Sequence, residues 1–223
     1  MDRLLVRDER EVSVDRAADR LAYVLLSFGL LMVIAYRGPP PVSLGHDQVG
    51  GTQRFGPRPV GTVMLSWLAM IGVDFFLHAG LLAPLYDWEG PFLLRPDEAF
   101  VRIPIGYAGF LLLAVGLAWL LTRLRARRGR DGALIAAALG AVAWGALVTG
   151  LWSISTADPA LLVGWWVGQS AELAVGGHVI GSVLGGVRLR TVAGWVGLVL
   201  AVGAVSAVVL QTIGYAAAPI ISR

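Results

Sequence analysis

The sequence predicts an all-α protein, a multi-pass transmembrane helical bundle with five spans of full length and one marginal N-terminal span. Three observations lead there. Of 223 residues 57% are hydrophobic and only 15% charged, with a mean hydropathy of +0.72, far more apolar than a water-soluble domain. Five apolar stretches reach the roughly 20 residues that a helix rising 1.5 Å per residue needs to cross a bilayer. The arginines gather at the ends of those stretches, as topology signals do.

Taken in chain order, Asp2 to Arg20 is an amphipathic, charge-dense lead into an apolar run from Leu21 to Tyr36. That run is short enough to lie in the interface or to span where the bilayer is thin. Residues 37–59 follow, with Pro39, Pro40, Pro41, Pro57, Pro59 and five glycines, the composition of an irregular linker. The chain therefore divides into an N-terminal part, 1–59, and a five-helix bundle, 60–223. Its spans are expected at 60–86, 103–122, 132–154, 159–186 and 191–213. Pro104 suits the first turn of its helix, and Asp158-Pro159 reads as an N-cap with proline at N1. No small-residue cleavage site follows the first apolar run, so no cleavable signal is expected.

Orientation follows from Arg123, Arg125, Arg127, Arg128 and Arg130, which mark a cytoplasmic connection. Arg188, Arg190 and the 37–59 linker then fall on the same side, and the acidic loop 87–101 and residues 155–158 on the other. A bacterial cytoplasmic membrane is the simplest location. If the first run spans, five arginines and six acidic residues of the first twenty lie outside; if it lies flat, the N-terminus is inside.

Composition also removes chemistries. With no cysteine there is no thiolate metal site, disulfide or cysteine nucleophile. All 18 basic residues are arginine, which excludes a lysine Schiff base and a P-loop. Neither HExxH nor GxSxG occurs, so the reading leans away from an enzyme. The arginines are not interleaved with aromatics, so nucleic acid is not an expected partner. The expected partners are the lipid bilayer and other membrane subunits or further copies of the chain. Eight tryptophans imply no cofactor: Trp88, Trp119, Trp152 and Trp195 sit near span ends as an aromatic belt, and Trp67, Trp144, Trp165 and Trp166 read as packing residues.

Small residues permit close backbone approach in lipid, and two stripes stand out. One is Ala133, Ala137, Ala141, Gly145 and Thr149; the other is Gly177, Gly181 and Gly185. The 132–154 and 159–186 helices are expected to pack tightly through them.

Ionisable groups inside hydrocarbon mark function or a buried helix contact. Asp74 and His78 lie four apart on one helix face, and Glu172 and His178 share a later span with Gln169 one turn before Glu172. Asp74 and Glu172 both fall within about 3 Å of mid-membrane, His78 roughly 6 Å towards one side and His178 roughly 9 Å towards the other. A histidine separation on the order of 15 Å argues against a haem or a metal held by both, so no metal ligand set is expected. A relay His78, Asp74, Glu172, His178 for protons or a small cation suits the spacing better, while simple pairing within and between helices explains the same residues.

The run Asp74-Phe-Phe-Leu-His78-Ala-Gly-Leu-Leu, the later Arg95-Pro96, and Trp165-Trp166 through Glu172 and Gly177 resemble small multi-pass bacterial membrane proteins of no assigned function. The resemblance covers residues 70 to 186 and implies a helical membrane fold without a mechanism. Two functions are expected in order: an accessory or scaffold component of a membrane assembly, then a small proton-coupled transporter or ion-permeation protein using Asp74 and Glu172. Gly72 and Gly80 flank Asp74, but no proline marks the broken helix common in transporters.

Overall fold

A computed structural model describes residues 58–86, 92–94 and 96–215. The expected amphipathic lead, the 21–36 segment and nearly all of the linker lie outside those residues, as do Trp88 and Arg95. Every described residue is helical or in a connection between helices, and the described part belongs to one compact unit. Helix α1 covers Arg58–Phe76 and runs on through a π-helical turn, Leu77–Leu81, into the short α2, Ala83–Tyr86. Then come α3 (Pro96–Arg123), α4 (Gly129–Ile154), α5 (Pro159–Leu184) and α6 (Leu189–Thr212).

Four stretches are long and apolar enough to cross a membrane: Pro59–Leu81, Glu98–Arg123, Gly129–Ile154 and Leu189–Thr212. The expected span at 159–186 is present as the 26-residue α5, but it is not among those four. Gln169, Glu172 and His178 lower its hydropathy, and the fold accommodates them by enclosing the helix. Fifteen of the 26 residues of α5 are buried, against three of 26 in α4. A polar helix is tolerated in an apolar bundle when protein surrounds it.

The core lies where α1 and α5 meet their neighbours. Ser66 Oγ donates to the Gly176 carbonyl at 3.1 Å, and further along Gly168 faces Leu77 and Gly164 faces Leu82, so α1 with its continuation runs antiparallel to α5. On its other side α1 runs parallel to α6, because a Cβ on Gly61 would meet Leu189, one on Gly72 would meet Leu200 and one on Gly80 would meet Ala207. Met70, Leu117, Leu121, Leu173 and Ile180 join one buried apolar cluster across α1, α3 and α5.

The most extensive helix contact is α4 on α5. The residues of α4 buried there are Gly132, Ala136 and Gly140, one position ahead of the expected stripe. Ala141 is exposed, although its carbonyl accepts from Trp166 Nε1 at 2.9 Å, and Gly145 faces the same indole. Periodicity of four cannot tell two adjacent stripes apart when both are Gly/Ala-rich. Opposite them, a Cβ on Gly177 would strike the Gly132 carbonyl oxygen and the Ala136 Cβ, and one on Gly181 or Gly185 would strike the carbonyls of Arg128 or Arg127. The arginine-rich connection is thereby seated on the end of α5.

Helix starts fall within three residues of expectation except at α3. Helix α3 begins at Pro96, so Pro104 lies inside it rather than in its first turn. Pro96 itself occupies the helix start, where its missing N–H is harmless. Asp158 caps α5, its Oδ1 accepting from Ala160 N at 2.6 Å and Leu161 N at 3.3 Å. Asp158→Ala should lower stability by about 1 kcal/mol, read as a reduced Tm in detergent; an unchanged Tm would show that the cap contributes nothing.

Candidate functional site

The π-helical turn is the local feature that builds the site. Leu82 N donates to the Leu77 carbonyl five residues back, at 2.6 Å, which widens the helix as it leaves α1. Such turns are rare and concentrate at functional positions, because the extra residue re-aims side chains. Two partners from the α6 end of the chain satisfy the carbonyls loosened here: Gln211 Nε2 donates to Ala79 O at 3.0 Å and the Tyr215 hydroxyl to Leu81 O at 3.1 Å. His78 is the second residue of the turn.

The structure brings His78, Asp74, Glu172 and Gln169 together. His78 Nε2 lies 3.4 Å from Asp74 Oδ1, 3.9 Å from Glu172 Oε1 and 3.4 Å from Gln169 Nε2. Gln169 Nε2 also donates to Glu172 Oε1 at 3.1 Å. One ligating atom from each of Asp74, His78 and Glu172 falls within 4.8 Å of the others. Glu172 forms the closed floor of the cluster, its side chain 1% exposed, whereas Asp74 and His78 keep 13% and 25% exposure. The cluster thus opens on its α1 side and is sealed on its α5 side.

A second layer of hydrogen bonds holds each of these groups. His78 Nδ1 is bonded to the Tyr86 hydroxyl, which also accepts from Trp165 Nε1 at 2.7 Å. The Tyr107 hydroxyl bonds to Asp74, and Trp67 Nε1 fixes the backbone of that tyrosine by donating to its carbonyl at 2.8 Å. Two of the tryptophans read as packing residues are therefore braces for the cluster. Sequence reasoning missed Tyr86 and Tyr107. Tyr86 stands eight residues past His78, where a continuous α-helix would place it on a different part of the face; only the π turn and the short α2 bring it back.

One oxygen stays unmatched. Glu172 Oε2 is buried and finds no hydrogen-bond donor among the described residues. A buried carboxylate oxygen without a partner is unfavourable, and native structures retain few of them.

His178 does not join this cluster. It lies nine residues beyond Gln169 on α5, about 13 Å of helix rise. There its ring stacks at a tilt on Trp195, 5.4 Å between centroids, and it packs beside Gly129, where a Cβ would fall 2.8 Å from the imidazole Cε1. The expected four-membered relay is consequently a three-membered cluster plus a separate buried histidine. Along α5, the six-residue step from Glu172 turns His178 about 120° away.

No protein family, curated protein or solved structure matches this chain.

Proposed function

We propose that this is an integral membrane protein of the bacterial cytoplasmic membrane that binds and passes a cation through the Asp74, His78 and Glu172 cluster. In this reading α5 is a fifth span, surrounded by the four apolar ones, and the Arg123 to Arg130 connection faces the cytoplasm. The carrying observation is the convergence of two carboxylates and an imidazole from two antiparallel segments, Asp74 and His78 where α1 passes into its π turn and Glu172 at the middle of α5. Ionisable groups at that depth are costly in hydrocarbon and line ion pathways when they occur together. The π-helical turn supports the same reading, doing for α1 what an unwound segment does in broken-helix transporters.

The accessory or scaffold reading draws less support. The stripe it was read from is used within the chain, Gly132, Gly140, Gly177 and Gly181 meeting each other's helices, and the glycines that do face open space, such as Gly109 and Gly116 of α3 and Gly194 and Gly197 of α6, form no ionisable site.

Reconstituted into liposomes, the protein should carry a cation flux, measured for protons, sodium, potassium and divalent metals in turn. Asp74→Asn and Glu172→Gln should each lower it by about tenfold or more, the kinetic equivalent of losing one charge-assisted contact. Flux absent for every cation, or undiminished in both variants, would refute the proposal.

A further inference from the structure

We infer that the cluster is a binding site for a divalent transition-metal cation, with Asp74, His78 and Glu172 as ligands. The inference deepens the permeation reading by naming the class of ion, and it rests on that reading only for transport; binding stands separately.

Spacing is the first argument. Three ligand atoms each about 2.1 Å from a cation at tetrahedral angles lie about 3.4 Å from one another. His78 Nε2 and Asp74 Oδ1 are 3.4 Å apart, and His78 Nε2 and Glu172 Oε1 are 3.9 Å apart, about half an ångström longer. The third edge, between the Asp74 and Glu172 oxygens, is within 4.8 Å, so the set closes about a cation as the two carboxylates draw together.

Charge is the second. Two carboxylates and a neutral imidazole total −2, so a divalent ion leaves the buried assembly neutral, whereas a monovalent one leaves a net charge inside an apolar bundle. Imidazole among the donors selects against magnesium and calcium, which take oxygen ligands, and suits zinc, manganese, iron or cobalt.

The surroundings are the third. A ligating histidine normally gives its other ring N–H to an acceptor that fixes its orientation, and His78 Nδ1 has the Tyr86 hydroxyl, itself held by Trp165. Asp74 has Tyr107, and Glu172 has Gln169. A cation also answers the unmatched Glu172 Oε2, since a carboxylate shifting towards two-oxygen coordination needs no donor there. With three protein ligands the metal keeps an open position on the Asp74 and His78 side, the arrangement of an exchangeable ion rather than a structural one.

The full-length protein purified in mild detergent, stripped with chelator and titrated with Co²⁺ or Zn²⁺ alone, tests this. Expected are one metal per chain, a visible Co²⁺ ligand-field band, and no competition by excess Mg²⁺ or Ca²⁺. X-ray absorption on the wild-type cobalt form should show one imidazole within a shell otherwise of oxygen. Asp74→Asn and Glu172→Gln should remove the band. Tyr86→Phe, which loosens His78 without touching the metal, should weaken binding about 10- to 100-fold, and His178→Gln should leave it intact. No retained metal, a shell of oxygen alone or of several imidazoles, or a band that persists in both carboxylate variants would overturn the inference. The X-ray absorption result decides the matter even where a variant does not fold. Metal bound without flux would overturn permeation and leave the site standing; proton or sodium flux without metal binding would do the reverse.

Discussion

Replacing Gly177 by leucine should destabilise the protein by about 3 kcal/mol or more, the upper range for overpacking a close contact. The reason is the nature of what a side chain would meet. A Cβ at this position strikes the Gly132 carbonyl oxygen and sits 2.5 Å from the Ala136 Cβ. Both belong to the neighbouring helix wall, so no rotamer change relieves the clash and α4 must move off α5. That interface is the largest in the bundle, and α4 has little other contact to hold it. Gly150→Leu on the same α4 is the control, because nothing lies within 4 Å of a Cβ there; it should change stability by no more than about 0.5 kcal/mol. Thermal unfolding in detergent followed by circular dichroism separates the two. Equal Tm values for both variants would mean that the close approach of α4 and α5 does not carry the fold.

Glu172→Met should have the opposite sign, stabilising the protein by about 2 kcal/mol while abolishing the proposed cation flux. Glu172 is fully enclosed, and one of its oxygens has no donor among the described residues. Replacing a buried ion pair by apolar residues of similar volume is often neutral or stabilising by about 1 to 4 kcal/mol, and removing one partner is costly only where it strands an opposite charge. Glu172 lies beside a second carboxylate, Asp74, so its loss relieves a like-charge contact, and stability gained at such a position costs activity. The measurement is the denaturation midpoint of the metal-free protein beside its flux. A loss of stability would show that the Glu172 contacts with Gln169 and His78 outweigh its enclosure, and would identify the carboxylate as a structural element.

The helical architecture was largely readable from the chain, since apolar segments of bilayer length separated by Arg, Pro and Gly leave few alternatives. Four-residue spacing placed Asp74 and His78 on one face, and depth counting placed Glu172 level with Asp74; in the structure the three meet. Three things were not readable. The one-residue offset between Ala137 and the buried Ala136 depends on helix rotation, to which a stripe of interchangeable small residues is blind. The start of α3 at Pro96 was hidden because Pro104 carried the same signal eight residues later. Tyr86 and Tyr107 had no visible link to the cluster, because the π turn that brings Tyr86 to His78 leaves no mark in hydropathy.

The enclosure of α5 also bears on how such a chain is made. A helix entering a bilayer alone must be apolar enough to partition by itself, and α5 carries a glutamate, a glutamine and a histidine along its length. Synthesis from the N-terminus delivers α1, α3 and α4 beforehand, the helices that supply most of its walls. Among the described helices α6 alone follows, and it packs mainly on α1. On the proposed membrane reading, this order of elements lets the helix that carries Gln169, Glu172 and His178 arrive when a protein-lined berth already exists, so that those groups pass from the insertion machinery to their partners without residing in lipid.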